Sequence, residues 1–64
     1  MTRFERDYEE AMAGGGAEVL ALRKAEIQRL VAEERREKNG FRQRCIAQEV
    51  ARLKREYDAI DNLF

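Results

Sequence analysis

Sixty-four residues are too few for a large core, since a folded chain of this size buries only about 60% of the surface its unfolded form exposes. With one cysteine, no histidine and no serine, it can build neither an internal disulfide, nor a His/Cys zinc site, nor a Ser-His triad. Charged residues make up 41% of the chain yet cancel to zero, and proline and tryptophan are missing; this is the composition of helical bundles and coiled coils, in which a small domain gains stability by associating with another chain.

The first element expected is a short helix over residues 3–13. Thr2-Arg3-Phe4-Glu5 has the form of a capping box, and Phe4, Tyr8, Ala11 and Met12 then fall on one face. So short a helix is not stable alone, so it is expected either to dock through Phe4, Tyr8 and Met12 or to fray. Gly14-Gly15-Gly16 ends it as a hinge over residues 14–16. The triplet is not a phosphate loop, because no strand precedes it and no Lys-Ser/Thr pair follows.

A long helix is expected over residues 17–38, with Val19, Leu20, Ile27, Leu30 and Val31 in an arc about 120° wide and Leu22 outside it. Asn39-Gly40 marks a turn over residues 39–40. Gly40 suits the left-handed position beyond a helix end, with Phe41 packing back. Residues 41–64 then carry the clearest pattern in the chain. Ile46, Val50, Leu53, Tyr57, Ile60 and Phe64 recur at steps of four and three, the seam of a helix packed lengthwise on another. Traced backwards through Gly40, that seam lands on Gln43, Asn39, Arg36 and Arg29, so the two apolar faces are out of phase and the chain must turn.

The fold expected is therefore all-α and a single domain: a short N-terminal helix, a glycine hinge and an antiparallel helical hairpin with arms about 33 Å long. Two arms leave one side of each seam wet, so the hairpin is expected to dimerise as a four-helix bundle or coiled coil. The oligomer seam would comprise Leu20, Ile27, Leu30, Val31, Ile46, Val50, Leu53, Tyr57, Ile60 and Phe64.

The inventory for catalysis is thin, and no enzyme, cofactor or metal is expected. Cys45 is the one strong nucleophile and has no imidazole to activate it; it reads first as a small half-buried residue flanking the seam, and otherwise as a reactive thiol or an intermolecular disulfide. Glu33, Glu34 and Glu37, or Glu56, Asp58 and Asp61, read as solvated faces with ion pairs along the helix. The informative feature is charge placement. Arg35, Arg36, Lys38, Arg42, Arg44, Arg52, Lys54 and Arg55 face only Glu37 and Glu49 across residues 35–55, a window of +6. Around a hairpin tip and down its second arm these residues read first as a plain solvated tip, and otherwise as a surface that attracts nucleic-acid phosphates or an acidic protein. The ending Asp61-Asn62-Leu63-Phe64 reads as seam first and docking peptide second. No apolar run approaches a membrane span, no signal peptide is visible, and the lone cysteine suits a reducing, cytoplasmic setting.

Lys24-Ala25-Glu26-Ile27, Lys38-Asn39-Gly40-Phe41, Arg52-Leu53-Lys54 and the ending Ala59-Ile60-Asp61-Asn62-Leu63-Phe64 together resemble the GapR-like family of small helical nucleoid-associated proteins. The resemblance covers residues 25–64 and implies helical dimers or tetramers that clasp duplex DNA, with Lys38, Arg42, Arg44, Arg52, Lys54 and Arg55 on the phosphates. This chain is shorter between Leu53 and the tail than that family and less basic. Two function classes follow: a non-enzymatic protein–protein interaction or regulatory module, and a small nucleic-acid-binding protein.

Overall fold

The computed structural model describes residues 1–64 as three α-helices joined by two tight turns: α1 (Arg3–Glu10), α2 (Gly16–Arg36) and α3 (Gly40–Asp61). α1 starts as its sequence dictates. The Thr2 hydroxyl accepts from the Glu5 N–H at 3.1 Å, and the Glu5 carboxylate reaches back to the Thr2 N–H at 3.5 Å. The helix stops three residues earlier than its apolar pattern suggests. Ala11–Gly15 form one wide π-type turn, inside which Gly14 takes φ +107°. That conformation is open to glycine and strained for any other residue, so the triplet makes a fixed reversal that lays α1 back along α2. Ala11 is buried by this reversal and Met12 stays exposed, so α1 docks through Phe4, Tyr8 and Ala11 rather than through Met12.

α2 and α3 form the antiparallel hairpin. Gln43 Nε2 donates to the Glu34 carbonyl near the tip, Arg23 meets Glu56 further down, and Gly16 meets Phe64 at the far end. As the α2 partner's number falls, the α3 partner's rises. The molecule measures 41 × 20 × 17 Å.

The reversal between the arms lies at residues 37–39, not 39–40, and is made differently from the expected glycine cap. Glu37 leaves α2 in an extended conformation, and Asn39 becomes the N-cap of α3, its side-chain oxygen accepting from the Arg42 N–H at 3.1 Å. Gly40 is the first residue of α3, and Gly14 is the sole glycine with positive φ. Phe41, one residue into α3, is 68% exposed and does not pack back. Both Asn and Gly favour helix ends. Here the asparagine side chain satisfies an orphan N–H of the following helix, and that removes the need for a left-handed residue after the preceding one.

The core is small and lies toward the glycine turn. Ala11, Val19 and Ile60 form its centre, with Phe4, Tyr8, Leu20 and Leu63 packed around them; Val50 and Leu53 are buried further up α3. Of the expected seam, Leu20, Ile27, Leu30, Val31, Ile46 and Tyr57 are only half-buried. Phe64 does not extend the seam. α3 ends at Asp61, and the Phe64 ring, 72% exposed, lies across Gly16, where an added Cβ would come within 1.9 Å of the ring. Leu22, off the apolar arc, is 64% exposed.

Candidate functional site

The most buried polar side chain belongs to Arg23, 1% exposed. The apolar stripe of α2 runs through Val19, Leu20, Ile27 and Leu30, and the helical period calls for one more core residue between Leu20 and Ile27. Arg23 occupies that position. Its Nε donates to Asp7 Oδ2 of α1 at 2.8 Å and its Nη1 donates to Glu56 Oε1 of α3 at 2.9 Å. One guanidinium thus ties all three helices together. The Phe4 ring stands over it, 6.0 Å from Cζ to the ring centroid. Nη2 is buried without a hydrogen-bond partner.

Two outer pairs extend the network. Glu56 Oε2 accepts from Arg52 Nη1 at 3.0 Å, and Arg52 also pairs with Glu49. Arg3 forks onto Glu26 with two hydrogen bonds, at 2.9 and 2.6 Å. That fork holds the Glu26 carboxyl below its ordinary range and raises Arg3. Hydrogen bonding to Glu49 and the charge of Glu56 likewise raise Arg52. The arrangement places no nucleophile beside a base. It fixes where α1 lies on the hairpin. Neither Glu33, Glu34 and Glu37 nor Glu56, Asp58 and Asp61 converge, since no three potential ligands gather closely enough to hold a metal ion. Cys45 is a free, exposed thiol and not half-buried beside the seam as its position suggested, since it points away from the α2–α3 contact.

The basic residues singled out in the sequence are all exposed. Arg35, Arg36, Lys38, Arg42 and Arg44 surround the tip, and none has a carboxylate within ion-pairing distance. Lys54 and Arg55 lie further down α3, also unpaired, whereas Arg52 is committed to Glu49 and Glu56. Arg35 and Arg36 sit in the last turn of α2, where the helix dipole favours cations. Arg42 and Arg44 sit in the first turns of α3, where it opposes them, and that first turn carries no acid. These two arginines therefore do not serve helix stability.

Along α3 the acids and bases sort by face. Between Phe41 and Tyr57 the only acids are Glu49 and Glu56, both half-buried and both paired with arginine. Arg44, Gln48, Ala51 and Arg55 share an outward arc about 60° wide. That arc is positive, with Arg44 and Arg55 between Gln48 and Ala51.

Asp7 and Arg23 were not singled out by sequence reasoning, and Glu56, read there as part of a solvated face, is half-buried between Arg23 and Arg52. The one signal was the missing apolar residue at position 23, which a charged side chain disguises as an exposed position. Surface recesses reach about 350 Å³ at the corner lined by Gly14, Gly16, Leu20 and Phe64, and none brings together groups suited to chemistry. No helix is long and apolar enough to cross a membrane. No family model matches the chain, and neither a characterised protein nor a solved structure matches it.

Proposed function

We propose that this chain is a non-enzymatic protein–protein interaction or regulatory module that works as a homodimer of helical hairpins. The observation that carries the reading is the state of the seam. Only seven of 64 residues are buried, and Leu20, Ile27, Leu30, Val31, Ile46 and Tyr57 stay half-wet, although their spacing is that of core positions. α1 does not remove this exposure, because it reaches up the hairpin only as far as Glu26 and lies on the side away from Leu20, Ile27 and Tyr57. A second hairpin covers such a seam in the manner of a four-helix bundle. Light scattering on the purified chain at micromolar concentration tests the reading. A mass of twice 7.5 kDa is expected, and a folded 7.5 kDa monomer refutes it.

A second reading, nucleic-acid binding, is favoured by the acid-free outward face of α3 and by Arg42 and Arg44 standing against the helix dipole. Cations retained where they oppose the helix dipole suit a polyanionic ligand, and the GapR-like pattern of residues 25–64 points the same way. Gel shifts at 50 and 200 mM salt decide it. Binding that weakens at least about tenfold across that interval, and is lost when Arg42, Arg44 and Arg55 become alanine, supports the reading. No shift of DNA or RNA at 50 mM salt removes it.

A further inference from the structure

The two ends of the hairpin carry opposite, uncompensated charge. At the tip, Arg35, Arg36, Lys38, Arg42 and Arg44 are exposed and unpaired. At the glycine-turn end, Glu9, Glu10, Glu18, Asp58 and Asp61 are exposed and equally unpaired. Half-buried Glu33, Glu34 and Glu37 reduce the tip to +2, and Arg6 and Arg55 reduce the other end to −3.

The hairpin has one covered side and one open side. α1 approaches α2 from the side of Val19, Arg23 and Glu26. Leu20, Ile27 and Val31 lie on the other side of the α3 contact line, within about 40° of one another, and are half-buried. Tyr57 of α3 is half-buried beside them by the same phase argument.

Resting on the homodimer reading above, we propose that a second copy covers this open side lengthwise and in the opposite direction, so that each basic tip lies against the partner copy's acidic glycine-turn end. The end charges select this orientation. Tip against tip would stack cations on cations and, at the far end, Asp58 and Asp61 on their own copies, since Glu10 and Glu18 line the groove beside α1. Tip against base brings each end to its complement twice, once for each copy. Lys24 and Lys54 flank the open side at mid-height, near the dyad in either orientation, so the ends decide. The apolar strip supplies the association, and the charges supply its direction.

Two measurements on the full chain test this. The first is the sign of the salt dependence. The dimer dissociation constant, from sedimentation equilibrium, should rise at least about threefold between 50 and 500 mM salt, because screening removes attraction between the ends. A constant that falls with salt means like ends meet, and overturns the orientation. The second is the distance between spin labels on Phe41→Cys in a Cys45→Ala background, which leaves every charge in place. Tip-to-base packing puts the labels about 30 Å or more apart, near the full length of an arm. Labels within about 20 Å mean tip-to-tip packing and overturn the proposal while leaving a dimer standing. A monomer throughout overturns the dimer reading itself, and the orientation with it. A charge swap completes the set. Asp58→Lys with Asp61→Lys should weaken association, and adding Arg35→Glu with Lys38→Glu to the same chain should restore it; failure of the second pair to restore it counts against the proposal.

Discussion

Replacing Arg23 with alanine removes the one cation that Asp7 and Glu56 share. Breaking a buried ion pair by deleting one partner costs about 3–5 kcal/mol, because the remaining charge is left in low dielectric. Two features place this site at the lower end. Asp7 and Glu56 side chains retain 17% and 18% exposure, and Glu56 keeps Arg52 at 3.0 Å. The expected loss is about 3 kcal/mol, set against about 3–10 kcal/mol for an entire 64-residue domain. In urea unfolding followed by far-UV circular dichroism, with a slope near 1 kcal/mol per molar, the midpoint should drop by about 3 M. Arg23→Met combined with Asp7→Asn and Glu56→Gln strips the charge from all three positions and should recover most of the loss. An Arg23→Ala midpoint within about 0.5 kcal/mol of the parent would mean that the network ties nothing together. A triple variant no better than the single one would mean that stranded charge is not the source of the loss.

Leu53 is 2% exposed, and Leu53→Ala should cost about 2–5 kcal/mol, whereas Leu22→Ala, at an exposed position, should stay within about 0.5 kcal/mol; thermal melts separate the two. Gly40 has open space where a Cβ would go and ordinary helical φ, so Gly40→Ala should stabilise by about 0.4–1 kcal/mol; Gly14→Ala, at φ +107°, should destabilise by about 1–3 kcal/mol. Equal effects of these two changes would contradict the assignment of the turns. The Glu26 carboxyl is held low by Arg3, so the stability it adds is complete above the unfolded carboxylate value of about 4.3 and disappears as pH falls through the lower folded value. Arg3 is 45% exposed on its side chain, so this contribution is below about 1 kcal/mol. Glu26→Gln should flatten that part of the acid titration of stability, and an unchanged titration would remove the pair from the account.

The hairpin was legible because both arms carry apolar residues at helical spacing and the two patterns fall out of phase between Ala32 and Ile46. Phase survives any error in placing the turn. The turn itself was displaced for a local reason. Asn39-Gly40 satisfies two rules at once, a left-handed end for α2 and an N-cap for α3, and only the side-chain hydrogen bond to Arg42 shows which applies. Phe64 continues the four-three spacing, yet α3 stops at Asp61, and the ring finds Gly16 from outside the helix. Arg23 was illegible for a deeper reason. An arginine on an apolar stripe looks like surface until partners from α1 and α3 arrive, and those lie 16 residues before it and 33 after. The basic middle and acidic ends of the chain were readable from charge alone, whereas the gathering of the acids at one end of the hairpin was not, because its members come from the ends of three separate helices.

The most direct test of the half-covered seam is the melting temperature of the chain as a function of its own concentration. A fold completed by a second copy gains stability by mass action, so the midpoint should climb steadily as the chain goes from 1 to 100 times a starting concentration of about 1 μM. A midpoint that stays flat over that range would show that one hairpin with its short α1 suffices, and would contradict the account.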